Sequence, residues 1–254
     1  MRIVIITQNE PFYLAVNLEF LIQILPNHSQ IVGCVVNDVS PFGKKDSFFK
    51  NALKTYSVFG SRFFIHYSIR FVKSKICKNS GLSVLLQKAN IPEIKLTENI
   101  NHPESVKYIK RYKPDLLVSI LGNQIFKDPI INLAPKGCLN LHTAILPKYR
   151  GLMPTFWVLK NNEKHTGVSV FYVDNGIDSG PIIIQKKIAI GSATQEELIK
   201  KTKKLGMEAI AEAVDLIEKD KVKILENNAA EKTYYSFPTR KDVKAFYKSG
   251  KGFY

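Results

Sequence analysis

Arg2-Ile-Val-Ile-Ile-Thr7 and Ile31-Val-Gly-Cys-Val-Val36 decide the fold class. Each is a near-continuous apolar run rich in β-branched residues, the pattern of a strand covered on both faces. Between them, Asn9-Glu-Pro11 reads as a turn, and Phe12 to Leu25 carries the pattern of a helix that Pro11 can open. Strand, helix and strand at that spacing form a βαβ unit. The unit implies a parallel sheet with a right-handed crossover, hence an open, mostly parallel twisted α/β sheet with helices on both faces.

The same grammar returns further on. Ile94 to Leu96 reads as a short strand, and Asn101 or His102 can cap a helix with Pro103 in its first turn. Leu116-Leu-Val-Ser-Ile-Leu121 is a buried strand, Gln124 to Leu133 a helical stretch interrupted by Pro129, and Cys138 to Leu141 the next strand. Thr166 to Val173 and Pro181 to Ile190 are expected to pair antiparallel across an acidic loop. Thr194 and Glu197 form a capping box for a helix reaching about Lys219. Residues 37–90 show no clean period; their aromatics read mainly as helices over the sheet. The expected organisation is one domain over 1–220 and a short extension over 221–254.

Composition sets bounds. The 254 residues are 45% hydrophobic and 23% charged, an ordinary balance for a chain with a full core. A formal charge of +15 attracts anions of any kind, but its lysines are dispersed over several clusters instead of one stripe. The three cysteines form no close-set pair, which fits a reducing compartment and argues against zinc. The first apolar run is too short for a signal-peptide core, and no stretch of about 20 apolar residues follows, so the expectation is a cytoplasmic protein off the membrane. There is no GxGxxG, Walker loop, HExxH or EF-hand loop, leaving nucleotide cofactors without their usual cradle and metal chemistry without sequence support.

Chemistry concentrates in Gly137-Cys-Leu-Asn-Leu-His142 and Val173-Asp-Asn-Gly-Ile-Asp-Ser-Gly-Pro181. On a strand, Asn140 and His142 project to the same side, and ligands of open α/β sheets bind beyond the carboxyl ends of the strands. An amide donor, an imidazole and a carboxylate make a proton-transfer and oxyanion-stabilising set. Two carboxylates contend for the third place. Asp178 is flanked by glycines that let backbone approach a ligand, whereas Asp174 can as readily organise the turn by an Asx hydrogen bond. Lys148 and Arg150 in the following loop suit a phosphate or carboxylate, or form a solvated loop surface.

These motifs resemble the folate-dependent formyltransferases, whose members act on methionyl-tRNA, glycinamide ribonucleotide or nucleotide-linked amino sugars. The resemblance rests on Asp115-Leu-Leu-Val-Ser-Ile120, Gly137–His142, Leu146-Pro-Lys-Tyr-Arg-Gly151, Thr166-Gly-Val-Ser-Val170 and Asp178-Ser-Gly-Pro181. It implies transfer of a formyl group from N10-formyltetrahydrofolate to a primary amine, without metal. It places the catalytic asparagine, histidine and aspartate on Asn140, His142 and Asp178. It places the folate pocket on Leu121, Gly122, Asn123, Gln124 and Ile125, and on Val173, Asp174, Asn175, Gly176 and Ile177.

The departures bear on the acceptor. The tRNA-acting members carry a barrel-like second domain, for which the stretch after the 194–219 helix is too short. The glycinamide ribonucleotide members hold phosphate on a glycine-rich loop after the first strand, where this chain has Thr7-Gln-Asn-Glu-Pro-Phe-Tyr13. The expected acceptor is therefore a small amine on a nucleotide-linked sugar, with Lys148 and Arg150 as candidate phosphate contacts and Lys44, Lys45 and Arg70 as further cations. Methionyl-tRNA is the alternative, and a folate-binding module without turnover a third reading. A homodimer is expected from the subfamily resemblance and the aromatic-rich tail.

Overall fold

Seven strands form one sheet in the computed structural model, which describes residues 1–37, 47–76, 81–122 and 124–254. In chain order the elements are β1 (Arg2–Gln8), α1 (Leu14–Ile24), β2 (Gln30–Asn37), α2 (Phe48–Phe59), α3 (Ser61–Ile76), α4 (Leu82–Lys88) and β3 (Glu93–Ile94). There follow α5 (Pro103–Lys110), β4 (Leu116–Ile120), α6 (Asp128–Ile131), β5 (Cys138–His142), β6 (Arg150–Gly151) and α7 (Pro154–Lys160). The chain closes with β7 (His165–Tyr172), β8 (Ile182–Ala189), α8 (Gln195–Glu218), β9 (Tyr234–Tyr235) and α9 (Arg240–Lys248).

The sheet order is β3-β2-β1-β4-β5-β7-β8. The first five are parallel, while β7 runs antiparallel to both β5 and β8. This is the expected α/β sheet, and the physical reason is visible on β1. Ile3 and Ile5 pack with Leu14, Leu18, Met207 and Ile210 on one face, and Val4 and Ile6 with Ile94, Ile109 and Leu117 on the other. A strand buried on both faces has no use for polar alternation.

Two helix boundaries differ from the sequence expectation. The first helix starts at Leu14, because the Glu10 carboxylate takes the backbone N–H groups of Phe12, Tyr13 and Leu14 at 3.0, 2.9 and 3.0 Å. Pro129 sits in the first turn of α6, where its missing N–H costs nothing, so it opens a short helix instead of interrupting a long one. The Thr194–Glu197 capping box holds as expected, and the His102 imidazole accepts from Glu104 N at 3.3 Å ahead of Pro103.

The described residues of 47–90 fold mainly as α2, α3 and α4, and a second core forms among α2, α7 and α9. Phe59, Phe156, Trp157, Phe246 and Phe253 meet there, with Phe246 stacked on Phe156 at 5.0 Å. The tail thus folds back on the chain's own core: Tyr235 stacks on Tyr149 and Trp157, and β9 pairs with β6. Tyr234, Tyr247 and Tyr254 stay exposed. Lys44 and Lys45 lie outside the described residues. Among the described residues, no helix is long and apolar enough to cross a membrane, and no group of three or more His, Cys, Asp or Glu is placed to hold a metal ion.

Candidate active site

At the carboxyl ends of the central strands, β4 and β5 set Ser119 opposite Asn140, and β7 sets Phe171 opposite Asn140. These three side chains form one row across the sheet and line a cavity of about 310 Å³, with Gln8 from the end of β1 beside them. Among the described residues no side-chain hydrogen bond holds the Asn140 amide, so both its donors are available to a ligand. Gly122 belongs to the same wall. A Cβ there would stand 2.6 Å from Ser119 Oγ, so any larger residue has to push that hydroxyl aside.

His142 shares the Asn140 side of β5 and is buried, 6% exposed. Its Nε2 lies 2.7 Å from the Tyr149 carbonyl oxygen. A carbonyl only accepts, so Nε2 carries the proton and donates, and Nδ1 of the neutral ring presents a lone pair. That lone pair faces Asp178 Oδ2 at 3.5 Å. A proton delivered to Nδ1 converts two facing acceptors into an imidazolium–carboxylate pair. Asp178 Oδ2 also accepts the Gly151 N–H at 2.8 Å, which fixes the carboxylate. Asp178 itself has φ +49°, a left-handed conformation that a non-glycine residue adopts at a cost. Asp178 and Asn140 line the cavity; His142 meets it through Asp178.

Asp174 has the other role. Its Oδ1 accepts from Gly176 N at 3.0 Å and from Ser179 Oγ at 2.6 Å, an Asx turn that shapes the loop around Asp178. The rest of the loop forms the cavity wall: Val173, Asp174, Gly176 and Ile177 line it, together with Gln124 and Ile125 from the loop after β4. Gln124 Oε1 also accepts from Ile100 N at 3.0 Å. Leu121 does not line the cavity and packs against the core. Asn175 turns away, donating to Asp128 Oδ1 at 2.8 Å, and Asn123 lies outside the described residues.

The loop cations divide. Lys148 is exposed. Arg150 is 6% exposed and is no solvated loop residue: Nη2 donates to Asn227 Oδ1 at 2.8 Å, and among the described residues Nε finds no partner. It is drawn inward because β6, the strand it begins, pairs with β9 of the tail. Arg70 is engaged elsewhere, at 2.9 Å from Glu196 and 3.1 Å from the Tyr13 hydroxyl.

Sequence reasoning missed Gln8, Ser119, Phe126, Leu152, Met153 and Phe237 in the lining. A signal existed for Ser119, a lone polar residue in an apolar strand that parallel pairing can bring beside Asn140. None existed for Phe237, which arrives from the C-terminal extension.

The fold and this site define a class. The family model described as formyl transferase matches residues 72–214, more than half the chain, and the protein belongs to that family. The methionyl-tRNA formyltransferase of Kosmotoga olearia is 34% identical over 147 residues, covering 58% of this chain and 47% of the relative. The chain thus spans about half the length of that curated relative.

Two solved structures show the fold. A phosphoribosylglycinamide formyltransferase from Anaplasma phagocytophilum superposes with a TM-score of 0.65 at 17% identity, covering 93% of this chain and 98% of its own. An N-formyltransferase from Helicobacter canadensis, in complex with folinic acid and dTDP-3-aminofucose, gives 0.57 at 20% identity, covering 93% and 71%.

Proposed function

We propose that the protein transfers a formyl group from N10-formyltetrahydrofolate to a primary amine, with Asn140, His142 and Asp178 as the catalytic groups. The observation that carries this reading is the His142–Asp178 pair, whose only open ring nitrogen faces a carboxylate on the cavity wall, with the uncommitted Asn140 amide beside it. The cavity suits a flat, partly apolar donor: Ile125, Phe126, Val173 and Ile177 supply apolar walls, and Gln8, Ser119 and Asn140 supply polar groups.

The steps follow from the groups. A neutral amine attacks the formyl carbon, a C–N bond forms, and the carbonyl oxygen becomes an oxyanion. The Asn140 amide donates to that oxygen; one such donor typically contributes about 3–4 kcal/mol to the transition state. The amine must lose a proton and N10 must gain one as the tetrahedral carbon collapses, the C–N10 bond breaks and tetrahydrofolate leaves, so the proton taken up by the His142–Asp178 pair is returned to N10. Asp178 Oδ2, or a water bound between it and the amine, passes that proton towards His142 Nδ1. The Nε2–H is committed to the Tyr149 carbonyl, which favours a base role for His142 over oxyanion donation.

The acceptor in this proposal is a nucleotide-linked amino sugar. The N–H groups at the opening of α1, where a glycine-rich loop would hold a ribonucleotide phosphate, are filled by Glu10. Phe237 offers an apolar ring on the cavity wall for a sugar or base face, and the fold seats such a ligand in the Helicobacter protein. Methionyl-tRNA is the second reading, favoured by the 34% identical relative and by the charge of +15. The test is competitive turnover of thymidine- and uridine-linked amino sugars against charged initiator tRNA, each with N10-formyltetrahydrofolate. A kcat/KM at least about tenfold higher for the tRNA, a difference of about 1.4 kcal/mol, overturns the sugar assignment.

A homodimer is part of the proposal. Exposed Ile65, Ile69, Val72 and Ile76 form one stripe on α3, at spacings that suit a helix–helix seam. Light scattering that gives a monomer mass at micromolar concentration removes it.

A further inference from the structure

We propose that the C-terminal segment 227–235 is a positioning clamp for the His142–Asp178 pair, with Asn227 as its key residue; this rests on the catalytic reading given above. The segment hydrogen-bonds Asp178 directly and reaches His142 through Tyr149, from a part of the chain remote in sequence.

One arm holds Asp178. Asn227 Nδ2 donates to the Asp178 carbonyl at 3.0 Å and to the Gly180 carbonyl at 2.9 Å, while Oδ1 accepts from Arg150 Nη2 at 2.8 Å. Its neighbours settle the amide's orientation: carbonyls only accept and a guanidinium only donates. Leu225 pairs with Ile182 through two backbone hydrogen bonds, anchoring the segment beside the loop. Without these donors the loop loses its grip on a residue held at φ +49°.

The other arm holds His142. Thr233 accepts from Tyr149 N through its hydroxyl at 2.8 Å and from Arg150 N through its carbonyl at 2.9 Å; Tyr235 O accepts from Leu152 N at 2.8 Å. Tyr149 carries the carbonyl that orients the imidazole, and Gly151 the N–H that binds the Asp178 carboxylate. Gly151 has φ +93°, and a Cβ there would come 2.3 Å from Tyr235 O, so strand pairing and the carboxylate contact share one glycine. Both atoms that orient the pair therefore lie on a four-residue stretch that the tail holds in place.

Asparagine is the side chain that joins the arms, since it accepts from the buried cation and donates to two carbonyls at once. An aspartate would keep the Arg150 contact as an ion pair but has no N–H for the carbonyls. Asn227→Asp therefore separates positioning from support of Arg150. The experiment uses the whole chain and three readouts: thermal midpoint, kcat with a thymidine diphosphate-linked amino sugar or charged initiator tRNA, and the ¹⁵N resonances of the His142 ring with 5-formyltetrahydrofolate bound.

The expected result for Asn227→Asp is a lowered midpoint in a protein that still folds, displaced His142 resonances and a kcat lowered about 10- to 100-fold. Asn227→Ala should displace the resonances likewise and serves if the aspartate variant fails to fold. Unmoved His142 resonances in a folded variant overturn the clamp, whatever the turnover. Displaced resonances with wild-type turnover uphold the clamp and overturn the catalytic assignment of the pair. If wild-type protein turns over neither acceptor, the resonances still decide.

Discussion

Replacing Asp178 with asparagine is the sharpest test of the chemistry. The substitution keeps size and shape, and the new amide oxygen can still accept the Gly151 N–H that Oδ2 accepts at 2.8 Å. Two things change at the 3.5 Å approach to His142 Nδ1. The negative charge that would stabilise a proton on that nitrogen is lost, and the amide oxygen left facing Gly151 N–H is a weaker, neutral acceptor for a protonated Nδ1. The charge term is sizeable. Two unit charges at that separation interact by about 5 kcal/mol at an effective dielectric constant of about 20, with little dilution by solvent because His142 is 6% and Asp178 12% exposed. At about 1.4 kcal/mol per decade the ceiling is a loss of about 10³ in rate, and the expected fall in kcat is about 10²–10³-fold. Release of tetrahydrofolate in the presence of the acceptor measures it, with 5-formyltetrahydrofolate affinity as the control for an intact pocket. A kcat within about threefold of wild type, with affinity preserved, refutes the proton-transfer argument.

Asn140→Ala should lower kcat about 10²–10³-fold without changing stability, because its amide supports no other group; steady-state kinetics with thermal denaturation checks both halves. Phe246→Ala, at a fully buried ring stacked on Phe156, should cost about 3–5 kcal/mol in urea unfolding and loosen α9. At the start of α9, burial alone would raise the Asp242 carboxyl, but hydrogen bonds from the Thr239 hydroxyl and backbone N–H and the 3.0 Å contact with Lys160 hold it below the ordinary range. A depressed carboxyl stabilises the fold above its unfolded pKa of about 3.9 and loses that contribution as pH falls through the folded value. Asp242→Asn should therefore lose about 1 kcal/mol at neutral pH and show a flatter acid limb than wild type in pH-dependent melting.

Much of this protein was legible from local sequence. Period-2 geometry alone puts Asn140 and His142 on one side of β5, and double-sided apolar runs specify a buried parallel sheet whatever the partners are. Capping boxes such as Thr194–Glu197 are readable because donor and acceptor lie within one turn. Helix starts governed by a specific side chain were less so: Glu10 delays α1, and the pattern of apolar residues carries no trace of that. Composition could not say whether Arg150 is solvated, since its burial depends on β9 arriving beside β6 from the far end of the chain. The same holds for the choice between Asp174 and Asp178, which turns on where Gly151 and His142 stand. Phe237 on the cavity wall and Asn227 behind the Asp178 loop belong with them. Local periodicity fixes which side of a strand a residue takes, because that is a property of neighbouring dihedrals. Which distant segments share a hydrogen bond is set by how the whole core packs, and that information appears only when the chain has folded.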